Sequence, residues 1–203
     1  MKTSLPIFAF LILLFASCGN DKSTAETSTA APETEVSDAY AAADEALKAG
    51  KSPAEVSELL MGNFAAVSDA GTGALNMAAS KEFARVAQEL SDKYPGDTTA
   101  AMPFYRSAEV VRAMNDPKRA AAIYEEVYKR YPDFSKAPEA MFMLAFTYDE
   151  DLKNFEAAKK TYTDFLAKYP NHSFADDTEM LLRNLGKSDE EILQELEANM
   201  QKQ

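Results

Sequence analysis

The fold is decided by one stretch, Asp116-Pro117-Lys118-Arg119-Ala120-Ala121-Ala122-Ile123-Tyr124-Glu125-Glu126-Val127-Tyr128-Lys129-Arg130-Tyr131-Pro132. Asp116 offers a capping carboxylate just before a proline, and proline at the first helical position costs no hydrogen bond. Ala120, Ile123, Tyr124, Val127 and Tyr128 then recur at helical spacing along one face. Pro132 disfavours helical geometry at Tyr131, so the helix ends there. The Tyr-Pro pair also occurs at 94–95 and 169–170, giving spacings of 37 and 38 residues around 131–132. Ala120 and Ala158 share a phase relative to their Tyr-Pro, as do Tyr124 and Tyr162, and as do Ala100, Ala137 and Ala175.

Working outward, a second apolar stripe from Asn154 carries Ala158, Tyr162, Phe165 and Leu166 and stops at Pro170. Another helix precedes each stripe, over 101–113 and 138–150. Each unit is therefore a helix pair whose apolar face is completed only by its neighbour. The series Phe104, Ala108, Val111, Ala120, Tyr124, Pro132 resembles the tetratricopeptide repeat. So does the series Met141, Leu144, Ala145, Tyr148, Ala158, Tyr162, Pro170, while Ser107 and Val111 depart from the commoner Leu and Tyr. The resemblance implies an all-α fold, a short tetratricopeptide-type α-solenoid of antiparallel helix pairs with flanking helices. It places the best repeats at 101–134 and 138–172 of a helical domain over 37–203.

Two units are fewer than the three or so that a solenoid needs, so the flanks must supply helices. A short one is predicted over 38–48, stopping at Gly50. Ser52-Pro53-Ala54-Glu55 is a capping box that opens a helix to about Val67. Gly71 and Gly73 break the chain, and 74–94 reads as a long helix. Residues 175–185 form the next, ended by Gly186. Ser188-Asp189-Glu190-Glu191 is a second capping box, opening an acidic helix that would cap the stack.

The N-terminal part has a different composition. After Lys2, the twelve residues 5–16 (LPIFAFLILLFA) are apolar. A spanning helix needs about 20, so this run reads as the core of a signal peptide over 1–17 rather than an uncleaved anchor. Ala16-Ser17-Cys18 resembles the lipobox of bacterial lipoprotein precursors, although Phe15 stands where Leu is usual. The resemblance implies cleavage before Cys18, a diacylglycerol on its sulfur and acylation of the new amino terminus. Residues 19–36 (GNDKSTAETSTAAPETEV) lack large apolar side chains, so 18–36 is expected to be a lipid-anchored flexible tether. Its reach is about 25 Å.

Net charge is −12, and −13 once Lys2 leaves with the signal peptide. That excludes nucleic acid as partner, which needs a basic face. Cys18 is the only cysteine and His172 the only histidine, so neither a disulfide nor a structural zinc site is expected. Gly71-x-Gly73 lacks the third glycine of a dinucleotide loop. His172 lies in an inter-repeat loop with no triad partner in its motif and is expected in solvent. So is the cluster Asp149-Glu150-Asp151, which lacks calcium-loop spacing. No catalytic residue, metal or cofactor is predicted, and the chain is not expected to be an enzyme.

In tetratricopeptide folds the first helix of each pair lines a concave face. The resemblance puts Tyr105, Glu109 and Arg112, then Phe142, Phe146 and Asp149, on that face as partner-binding candidates. Phe142 and Phe146 are i, i+4 neighbours and could equally pack against flanking helices. The Lys/Asn clamp that some tetratricopeptide domains use for peptide C-termini is absent. Lipobox and repeat spacing together resemble the tetratricopeptide lipoproteins of outer-membrane assembly and envelope-linking complexes. The implied function is a lipid-anchored scaffold that binds envelope proteins. Its membrane link is the lipid on Cys18, and its place is the outer membrane facing the periplasm. The alternatives are a receptor or carrier of a small ligand or peptidoglycan fragment, or an enzyme with an unrecognised site.

Overall fold

Three tyrosines adopt one backbone conformation: Tyr94 (φ −128°, ψ 61°), Tyr131 (−127°, 62°) and Tyr169 (−130°, 53°). Each is the residue on which a helix stops before proline, so the repeat is present in the backbone as well as in the sequence. The computed structural model describes residues 39–200. The signal peptide 1–17, Cys18 and the tether to residue 36 lie outside the described residues.

Among the described residues there are nine α-helices: α1 Ala41–Lys48, α2 Pro53–Gly62, α3 Met77–Lys93, α4 Ala101–Ala113, α5 Pro117–Arg130, α6 Ala137–Phe146, α7 Phe155–Lys168, α8 Ala175–Asn184 and α9 Asp189–Met200. From α3 to α8 each helix packs on the next, the order of a tetratricopeptide-type α-solenoid. The caps are the ones the sequence advertises. Asp116 and Asn154 accept from the backbone N–H of Arg119 (3.1 Å) and Ala157 (3.2 Å). Ser52 and Ser188 form reciprocal boxes with Glu55 and Glu191.

The core is a run of large side chains separated by alanines. Phe83, Leu90, Phe104, Val111, Tyr124 and Val127 are fully buried, and Ala84, Ala87, Ala108, Ala120 and Ala140 let the helix axes approach between them. Tyr131 ties α5 to α3, its hydroxyl 2.8 Å from Ser91 Oγ. A smaller cluster, Ala145, Ala158 and Tyr162 with Phe142, Leu181, Leu182 and Leu185, joins α6, α7 and α8.

Three boundaries differ from expectation. The helix from Ser52 does not run to Val67. It ends at Gly62, where the Asn63 amide donates to the Leu59 carbonyl (3.1 Å), and a 3₁₀ turn, Phe64–Val67, lays Phe64 edge-on to Phe83. The helix expected from residue 74 begins at Met77, because the Asn76 side chain caps it and Leu75 is held in an isolated bridge to Ser68. The helix expected over 138–150 opens at Ala137. After Phe146 it widens into a π-helical turn, Thr147–Asp151, where buried Thr147 donates its hydroxyl to the Met143 carbonyl (2.7 Å). A side chain competing for that carbonyl loosens the ladder, and π turns of this kind concentrate at functional positions.

Candidate functional site

The first helices of the two repeats, α4 and α6, lie on either side of a cleft of ≈ 480 Å³ walled by Glu109, Arg112, Ala113, Met143 and Asp151 and floored by Tyr124. The π turn completes it. By carrying the chain beyond Phe146 it brings Asp151 to Arg112, and the two form a bidentate pair, Nε to Oδ2 and Nη2 to Oδ1 (3.1 Å). The Arg112 guanidinium also lies over the Phe146 ring, 5.2 Å from its centroid. Planarity and delocalisation suit guanidinium to both contacts at once. Glu109 is paired with Arg106 (2.6 Å), whose guanidinium covers Phe64.

Beneath these pairs Tyr124 is fully buried, yet its hydroxyl has no hydrogen-bond partner. Burial pushes its pKa up, and nearby Glu109 adds to the shift, so the hydroxyl stays a donor. Leaving such a group unpaired costs about 1–3 kcal/mol, and Tyr124 belongs to the core layer directly beneath the cleft.

The six residues proposed from the sequence differ in surroundings and in access. Glu109 and Arg112 are half-buried and line the cleft. Tyr105 is 8 % exposed and lies against Tyr124 and Phe134, so its ring serves the core. Phe146 is half-buried under Arg112. Phe142 stacks on Phe146 and is held among Tyr162, Phe165 and Phe174, 4.7 Å from the last. It is therefore as much a joint between α6, α7 and the chain leading into α8 as a surface. Met143, Tyr124 and Asp151 went unrecognised as cleft residues. Asp151 lies 39 residues beyond Arg112, off the 37- and 38-residue repeat spacing, so the register did not mark it. Met143 and Tyr124 are indistinguishable from core by pattern.

The acidic cluster is the solvated loop that the sequence implied only in part, since Glu150 and Asp151 are exposed and Asp149 is not. Asp151 is taken by Arg112, and Asp149 is 5 % exposed. Burial first, and then Glu150, raises the Asp149 pKa. A carboxyl whose folded pKa is raised is harmless when protonated in both states. Its penalty appears as pH rises through the folded value and stays above it. Asp149→Asn is accordingly expected to raise the Tm at about pH 7 and leave it unchanged at about pH 3, where both forms are neutral. Thermal melts at the two pH values check this. His172 is likewise not free in solvent. Its ring is edge-on to Phe165 and Phe174, its Nδ1 accepts the Phe174 N–H (3.2 Å), and its Nε2 lies 4.0 Å from Glu139. These contacts fix a loop. Among the described residues, no His, Cys, Asp and Glu side chains group as a metal site.

Residues 104–133 and 139–172 each match the tetratricopeptide repeat family. No curated protein and no solved structure gives a match to the chain.

Proposed function

We propose, on the premise that 104–133 and 139–172 are tetratricopeptide repeats, that this chain is a non-catalytic scaffold whose cleft between α4 and α6 receives a segment of another protein. The supporting observation is the cleft itself, with Met143 as an apolar wall, Glu109, Arg112 and Asp151 as charged rims, and the buried, unpartnered Tyr124 beneath. A peptide segment suits such a cleft, since an apolar side chain covers Met143 and polar backbone groups meet the charged rims. Arg112 supports the rim. Arg112→Glu reverses a charge facing Asp151 and should abolish capture of the partner in crosslinked co-purification, while the helical circular dichroism stays that of the wild type. Undiminished capture by a folded Arg112→Glu chain overturns the reading.

The scaffold is anchored in the cell envelope, at the outer membrane facing the periplasm, by lipid on Cys18. The support is the apolar run 5–16, the small residues Ala16 and Ser17 before the single cysteine, and the polar tether 19–36 that separates anchor from domain. Each buried CH₂ of an acyl chain contributes about 0.8 kcal/mol, and two or more chains hold a protein on a bilayer stably. Cys18→Ser is expected to move the whole population from the detergent phase to the aqueous phase, with loss of the acyl mass from the intact protein. Wild-type protein found unlipidated in the aqueous phase contradicts the anchor.

A further inference from the structure

A second cleft, ≈ 340 Å³, lies where the π turn and the start of α7 meet α8 and the first turn of α9. Its walls are Phe155, Met180, Leu181 and Ile192, and Phe155 and Met180 are 40 % and 48 % exposed, high for side chains of their size. Asp149 lines its inner end, 5 % exposed and in no ion pair among the described residues, with the Tyr162 hydroxyl beside it as its hydrogen-bond neighbour. The cations at the rim are already engaged, Lys153 with Glu150 (3.2 Å) and Lys187 with Glu195 (2.6 Å). Buried carboxylates are almost always paired with a cation, and this one meets a cleft instead. The surroundings fit a cation. Residues 175–200 carry eight acids against two bases, half of the chain's net charge of −12.

Resting on the scaffold reading above, we propose that this cleft takes an arginine or lysine side chain from a partner segment that carries apolar residues beside it. The cationic head pairs with Asp149, the alkyl stem lies along Leu181 and Ile192, and the neighbouring apolar side chain covers Met180 and Phe155. A long cationic side chain with an apolar stem matches a site with an acidic base and greasy walls. The acidic face of α8 and α9 draws such a segment in over distance, and the electrostatic rim sets orientation more than strength.

The test uses the full chain and a short synthetic peptide with one arginine between two leucines, beside its citrulline twin, which has nearly the same shape and no charge. The arginine peptide should perturb the amide resonances of Leu181, Asn184 and Ile192, and the citrulline peptide should bind about tenfold more weakly or worse. Asp149→Asn should remove the difference between the peptides. Met180→Lys, at an exposed position where folding is not at stake, should also block the arginine peptide by placing an ammonium of the chain's own at the cleft mouth. Glu58→Gln, an exposed carboxylate elsewhere, should bind like wild type. Equal binding of both peptides, or undiminished binding by Met180→Lys, overturns the proposal. If the arginine peptide fails while partner capture persists and depends on Arg112, the cation site is wrong and the scaffold stands. If the peptide binds as described while no partner is captured, the cation site stands and the scaffold does not.

Discussion

Tyr131→Ala is expected to lower the unfolding free energy by about 3–5 kcal/mol, the range for truncating a fully buried aromatic ring. Tyr131 is completely enclosed and holds α5 against α3, and its hydroxyl lies within hydrogen-bond distance of Ser91, itself buried. The ring and the hydroxyl can be separated. Tyr131→Phe keeps the volume and removes one hydrogen bond, so it should cost only about 1 kcal/mol. Part of the Ser91 bonding is retained in that variant, because Arg130 also reaches Ser91 Oγ (3.3 Å). Urea unfolding followed by circular dichroism gives both values. A small loss in Tyr131→Ala would mean that the Tyr-Pro stops only punctuate the helices and do not join them.

Ala145→Leu is expected to destabilise by about 1–3 kcal/mol through overpacking. Ala145 is fully buried at the centre of the small cluster with Ala158 and Tyr162, where α6 crosses α7. Leu adds volume in a place already bounded by Phe142 and Leu182, and the displaced rings would push α8 outward. Thermal melts decide. If the variant melts with the wild type, the register that places Ala145 and Ala158 face to face is wrong.

The repeat itself was legible because its punctuation is local. A capping side chain before a helix and a proline after it act within a few residues, and Asp116, Asn154 and the three Tyr-Pro pairs do so as written. The left-handed residues add to this: Asn115 (φ 64°) and Lys153 (φ 49°) each precede the cap of the second helix of a pair. Asn visits that region readily and Lys does not, so only the first could be read from residue type. The π turn was illegible for a different reason. Thr147 donates its hydroxyl to the Met143 carbonyl there, but Thr161 and Thr163 make the same bond inside α7, which stays α-helical, so residue type carries no signal for the turn. With it went the position of Asp151 and therefore one wall of the cleft. Asp149 and His172 were misplaced in solvent because charge argues for exposure on average, whereas here Asp149 lies at the inner end of a cleft and His172 packs against Phe165 and Phe174. Phe142 was recognised as belonging to a shared face with Phe146, but periodicity cannot say whether a neighbouring helix or a partner covers a face. That requires α8, which lies outside both repeat motifs.

The central claim is that the cleft between α4 and α6 meets another protein, and a photo-crosslinking residue placed within it tests this most directly. Ala113 is exposed and lines the cleft, while Lys159 is exposed on α7, the second helix of its pair. The full-length chain, crosslinked in cells with the probe at Ala113, should yield one stoichiometric adduct with a second protein, and the probe at Lys159 should yield none. Adducts of equal yield from both positions, or none from Ala113 in a chain that remains folded, would contradict the account.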